Sequence, residues 1–234
     1  MQSGAIKQGK WLNYVVIGVL IVALFFVGVK IGGAVSGAAT TTTNTQNEAA
    51  NLAPGGALVN PPTAISNFTL TDQNGQPLSM TALHGKAVVL FFGYTHCPDV
   101  CPSTLADYTR VKKLLGTDAD KVTFVLVSVD AERDTPAVMK DYLKNFDTSF
   151  VGLTSDDATL RKVATQFGAT YAIPEHNHGD EHSGHTESVQ SDNYFVEHTS
   201  PSFLIDANGT LRMVYFNGAA PEDMVKGIHN LITM

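Results

Sequence analysis

Two cysteines, the only two in the chain, stand in the run Gly93-Tyr94-Thr95-His96-Cys97-Pro98-Asp99-Val100-Cys101-Pro102. A thiolate is both a nucleophile and a ligand for soft metal ions, so a close pair supports disulfide exchange or metal binding. The familiar redox pair is Cys-x-x-Cys, whereas three residues intervene here. The extra residue widens the bite, which suits two thiolates gripping one ion, yet a disulfide could still close. A structural disulfide or two inert core thiols is the bland alternative. Two sulfurs leave a metal site incomplete, so a third ligand has to come from elsewhere. His198, in Phe195-Val196-Glu197-His198-Thr199-Ser200 and three residues before Pro201, is the candidate. A neutral imidazole beside two thiolates makes a Cys-Cys-His set that suits copper and, less diagnostically, zinc. The plain alternative is a surface histidine at a strand edge.

Other residues of interest carry weaker signals. His176, His178, His182 and His185 place four of the eight histidines within ten residues, in an insertion spanning 175–192. The stretch has no core-forming pattern, and histidine-rich tracts can bind metal, here as an auxiliary collector. A solvated loop that only titrates is the competing account. His96 is placed to tune the site by hydrogen bonding, and His84 and His229 read as surface residues. Asp130-Ala131-Glu132-Arg133-Asp134-Thr135-Pro136 follows a buried strand at its C-terminal end, where α/β sheets carry function. There Asp134 reads as a helix cap and Asp130 as a loop-orienting residue.

The elements that must position these groups follow from the apolar pattern. Ala87 to Phe92 reads as a fully buried strand leading into the cysteine corner, and Pro102 marks the start of a helix to Leu115, ended by Gly116. The corner therefore lies beside the positive end of a helix dipole, which lowers a thiol's pKa. Val122 to Val129 is a second buried strand. Asp134 or Thr135 caps a helix to about Phe146, and Ser155-Asp156-Asp157 starts another that stops at Gly168. Ile65 to Leu70, the turn Asp72-Gln73-Asn74-Gly75 and Pro77 to Met80 read as an N-terminal hairpin. Ser202 to Asp206, a turn at Asn208-Gly209, Leu211 to Phe216 and a helix from Pro221 to Ile232 close the chain. Alternating strands and helices with a terminal hairpin and helix predict an α/β, thioredoxin-like fold with an N-terminal β-hairpin extension. In such folds a proline at the position of Pro201 is commonly cis.

Trp11 to Val29 is a nearly unbroken apolar run, long enough at helical rise to approach the ~30 Å hydrocarbon thickness. A single transmembrane anchor over 11–30 is expected, with residues 1–10 cytoplasmic because Lys7 and Lys10 precede it. A cleaved signal peptide is the rival, although its apolar core would exceed the usual length. Residues 31–62, rich in Gly, Ala, Thr, Asn and Pro, read as a flexible linker. The domain then spans 63–234 on the extracytoplasmic, periplasmic side of the inner membrane, where disulfides are permitted. Lys7, Lys10 and Lys30 against Glu48 give the first fifty residues +2, so a net −7 leaves −9 for the rest. An acidic domain without basic clusters argues against nucleic acid.

Three segments resemble the SCO/SenC family of thioredoxin-fold copper chaperones for cytochrome oxidase assembly. They are Gly-Tyr-Thr-His-Cys-Pro-Asp-Val-Cys-Pro at 93–102, Ser-Val-Asp-Ala-Glu-Arg-Asp-Thr-Pro at 128–136, and Glu-His-Thr-Ser with Phe-Leu-Ile-Asp within 197–206. By that resemblance Cys97, Cys101 and His198 are copper ligands. The function it implies is a membrane-anchored, non-enzymatic carrier that passes a copper ion to the binuclear copper centre of a cytochrome c oxidase subunit. A copper donor protein and a thiol reductant are the further partners expected. The alternative is a thiol–disulfide oxidoreductase that keeps the oxidase's copper-site cysteines reduced, with Cys97 and Cys101 as its redox pair and His198 dispensable. A peroxidase-like redoxin lacks its Pro-x-x-x-Thr-x-x-Cys pattern.

Overall fold

The structure, a computed structural model, describes residues 54–174, 194–199 and 201–233. The predicted membrane span over 11–30, the histidines at 176, 178, 182 and 185, and the peptide bond between Ser200 and Pro201 lie outside them. Among the described residues no helix is long and apolar enough to cross a membrane.

In chain order the strands are β1 (Ala57–Ala64), β2 (Thr69–Asp72), β3 (Pro77–Ser79), β4 (Ala87–Gly93), β5 (Val122–Ser128), β6 (Val151–Thr154), β7 (Tyr171–Ala172), β8 (Glu197–His198), β9 (Ser202–Ile205) and β10 (Thr210–Tyr215). The helices are α1 (Val100–Leu115), α2 (Pro136–Leu143), α3 (Asp157–Gln166) and α4 (Pro221–Ile232). Eight strands form one sheet in the order β1-β10-β9-β4-β5-β6-β2-β3, and β7 and β8 make a separate two-stranded ladder. β4 runs parallel to β5 and antiparallel to β9, and β5 runs parallel to β6.

The central strands explain the architecture. Ala-Val-Val-Leu-Phe-Phe-Gly in β4 is buried along its whole length, and β5 nearly so. Such unbroken apolar runs are stable only when both faces of a sheet are covered. α1 and α4 pack on each other, and α2 packs on β6. Within the core the fully buried Tyr108 of α1 meets Phe91 of β4 edge-on, with centroids 5.5 Å apart. Its hydroxyl donates to Ser202 Oγ of β9 at 2.8 Å, so the cysteine-bearing helix is tied to the strand that follows the His198 segment.

Helix ends follow the expected chemistry. Thr135 Oγ1 accepts from the Val138 N–H at the start of α2, and Asp156 accepts from the Thr159 N–H at the start of α3. Gly168, at φ +66, stands just past α3.

Several expectations need correction. The sheet begins at Ala57, so residues 57–62, assigned to the linker, are a strand paired with β10. The strand expected over Ile65 to Leu70 begins only at Thr69, and the Ile65 N–H instead donates to the Gly209 carbonyl at 3.0 Å. α2 ends at Leu143 rather than near Phe146, and α1 begins at Val100, two residues before Pro102. β6 is a strand the pattern did not announce, because four residues including Gly152 carry little periodicity.

Candidate metal centre

The end of β4 and the start of α1 hold the two sulfurs. Cys97 lies in the connecting loop, partly exposed, and Cys101 is buried on the first helical turn. First-turn N–H groups have no intrahelical acceptor. Asp99, at the cap position, makes no side-chain capping bond. Instead the Cys101 N–H points to Cys97 Sγ at 3.4 Å. The Cys101 thiol, despite the opposing effect of burial, and the backbone N–H groups of Cys101 and Asp99 lower the Cys97 pKa to about 5. Cys101 moves the other way, because its proton is held against Cys97 and its sulfur is buried. Both thiols are free, and the pair sets a partly exposed sulfur of lowered pKa beside a buried sulfur of raised pKa.

Gly93 makes room for that buried sulfur. A Cβ there would stand 2.8 Å from Cys101 Sγ, 2.8 Å from Phe91 Cε2 and 3.2 Å from Leu126 Cδ1. Only glycine at the end of β4 lets α1 set its first turn so close.

His198 reaches the sulfurs through the small ladder. Tyr171 of β7 pairs with His198 of β8, and the Thr199 N–H donates to the Thr170 carbonyl at 2.9 Å. His198 Nε2 lies 3.9 Å from Cys101 Sγ. Its Nδ1 faces the Thr199 carbonyl oxygen at 3.3 Å, and a carbonyl can only accept. With Nδ1 directed at that carbonyl, Nε2 is the ring nitrogen that faces the sulfurs, the arrangement common for a histidine that ligates a metal. Sγ of Cys97, Sγ of Cys101 and a ring nitrogen of His198 all lie within 4.8 Å of one another. Two donors on one ion with bonds near 2.0–2.3 Å sit about 3.5–4 Å apart, so small shifts would let these three close on a metal.

Beneath the loop a buried carboxylate holds the corner in place. Asp134 accepts from the Thr95 N–H at 3.1 Å, from Thr95 Oγ1 at 2.6 Å and from Ser128 Oγ at 2.7 Å. It is not the cap of α2; Thr135 fills that place, because Asp134 is turned inward to these three donors. Burial raises the Asp134 pKa. Since Thr95 gives its only hydroxyl proton to Asp134, its oxygen accepts from His96 Nδ1 at 3.1 Å. His96 thus braces the loop and does not join the two sulfurs. Asp130 accepts from Arg133 Nε at 2.5 Å and from the Tyr194 hydroxyl at 2.7 Å.

His96, Asp130 and Asp134 also bring three possible ligand atoms within 4.8 Å of one another. Both carboxylates are already engaged by the donors just named, so this second group reads as loop scaffolding. His229 faces Asp118 at 3.4 Å, and His84 lies against Gly209. Gly93, Tyr94 and Tyr194 had no assigned role from sequence; adjacency to the cysteine motif was the only signal for the first two.

The profile of the SCO1/SenC family matches residues 57–233. An SCO2-like protein of Rickettsia conorii is 33% identical over 164 residues, covering 70% of this chain and 75% of that protein. Among solved structures, Bradyrhizobium japonicum ScoI with copper bound is 36% identical, with a TM-score of 0.61 over 72% of this chain and 99% of that one. Apo Sco1 from Thermus thermophilus is 32% identical, with a TM-score of 0.63 over 75% of this chain and 95% of that one.

Proposed function

The chain belongs to the SCO1/SenC family, and from that premise we propose that it is a copper carrier for the assembly of cytochrome c oxidase. Cys97, Cys101 and His198 hold the ion. The observation that supports this reading is the meeting of two sulfurs and an imidazole nitrogen from segments far apart in the chain. Thiolates and imidazole are donors that suit Cu(I), and the similar ScoI of Bradyrhizobium japonicum has copper bound. Cys97, low in pKa and partly exposed, is the ligand an incoming thiolate can displace first, passing the ion to the binuclear copper centre of the oxidase subunit. A donor protein loads the site, and a thiol reductant keeps the pair competent, since a disulfide between Cys97 and Cys101 would remove both thiolates. Residues 11–30 anchor the chain as a single span with the N-terminus cytoplasmic, and the acidic domain works on the periplasmic side, without nucleic acid. His176, His178, His182 and His185 act as a weaker collector.

Copper titration of the reduced full-length protein tests the reading. His198→Ala should weaken tight copper binding by about tenfold or more while the thiol count stays at two. Unchanged binding would defeat the Cys-Cys-His assignment.

The unequal cysteines also favour a second reading. A partly exposed thiolate backed by a buried thiol suits a reductase. Cys97 would attack a partner disulfide, Cys101 would release the reduced partner, and the pair would be left oxidised for a thiol reductant to restore. Turnover that survives His198→Ala would favour it.

A further inference from the structure

We propose that Tyr194 and Tyr94, the former locked by Asp130 and Arg133, are positioning residues that set the His198 imidazole against the two sulfurs. The inference rests on the copper reading above.

The ladder that carries His198 has two residues in each strand, too little to fix a side chain on its own. A second anchor stands four residues upstream. The Tyr194 hydroxyl donates to Asp130 Oδ1 at 2.7 Å, and Arg133 Cζ lies 3.5 Å from the centre of the Tyr194 ring. Arg133 Nε holds the other oxygen of Asp130, whose side chain is wholly buried. Between the anchors the chain alternates in exposure. Tyr194, Val196 and His198 turn inward, while Phe195 and Glu197 are exposed. A period of two places all three inward residues on one face, so fixing Tyr194 also fixes which face His198 presents. At the midpoint the Val196 N–H donates to the Tyr94 hydroxyl at 3.2 Å. The Tyr94 ring then meets the His198 ring edge-on, with centroids 5.6 Å apart and an interplanar angle of 83°. The 128–136 segment, which holds the cysteine loop through Asp134 and Thr95, is thereby joined to the third ligand as well.

Tyr194→Phe removes one hydroxyl and keeps the ring beneath Arg133. Copper(I) affinity is measured by chelator competition on reduced full-length protein, for Tyr194→Phe, His198→Ala and the double variant. The expected result is a loss of about tenfold from Tyr194→Phe alone, with less nitrogen coordination in the X-ray absorption spectrum. In the His198→Ala background the same change should alter affinity by less than about twofold, because two groups acting through one ligand are not additive. Equal losses in both backgrounds, or no loss in either, would overturn the inference. If His198→Ala itself binds copper as tightly as the parent, the ligand assignment falls, and this inference with it. Should Tyr194→Phe fail to fold, Tyr94→Phe, which removes the acceptor of the Val196 N–H, decides by the same comparison.

Discussion

Gly93→Ala places one methyl group where the structure has no space for it. The new Cβ would stand 2.8 Å from both Cys101 Sγ and Phe91 Cε2 and 3.2 Å from Leu126 Cδ1. Relaxed carbon contacts lie at about 3.5–4.0 Å, so something must move by roughly 0.7–1.2 Å. Phe91 is fixed between core neighbours, so the Cys101 sulfur and the first turn of α1 are the parts that yield. Overpacking of this kind costs about 1–3 kcal/mol. For a domain of this size that is a fall of roughly 2–12 °C in melting temperature. The displacement is comparable with the adjustment the three donors need to close on an ion, so copper affinity should fall by about tenfold as well. The assay pairs thermal unfolding of the apo protein with copper(I) competition. Gly152→Ala is the control, because its Cβ would meet the ends of the Leu143 and Met139 side chains, at 2.8 and 2.9 Å, with Met139 Cβ at 3.4 Å, and no atom of the cysteine corner. It should be the milder change and leave copper affinity intact. A Gly93→Ala protein with parental stability and parental copper affinity would refute the packing argument.

Further outcomes can be measured on the same protein. Because the Cys97 pKa is about 5, iodoacetamide labelling of the reduced apo protein should be at its plateau by about pH 6. Below pH 5 it should decline about tenfold per unit, and Cys101 should stay unlabelled throughout. Asp147 is partly buried, which opposes ionisation, but Lys112 Nζ at 2.6 Å and Ser149 hold its pKa below the ordinary value. Its stabilising share is therefore full above the unfolded value of about 3.9 and lost as pH falls through the lower folded one, so Asp147→Asn should flatten the acid limb of a stability profile. Deleting residues 176–185 should abolish weak, excess copper uptake and leave one tight equivalent, as read by equilibrium dialysis.

Much of this protein was legible locally. The central strands announced themselves through unbroken apolar runs, the starts of α2 and α3 through Asp134-Thr135 and Ser155-Asp156-Asp157, and the cysteine corner through its strand–proline–helix setting. Those signals lie within a few residues of what they determine, where sterics and hydrogen bonding act. The resemblance of three short segments also named the family and singled out His198 before any geometry was known. What the sequence did not disclose depends on partners distant in the chain. β1 is a strand because β10 accepts it, despite Pro61 and Pro62. Asp134 has a cap residue's local context, yet it turns inward because Thr95, 39 positions away, offers two donors. His198 meets Cys101 across 97 positions, carried there by a two-residue ladder and a partly buried Asp130–Tyr194 bond. Residue types set which atoms could bind or react; closure of the tertiary fold alone fixed their distances and partners, because hydrogen bonds and packing hold only between groups the folded chain has brought together.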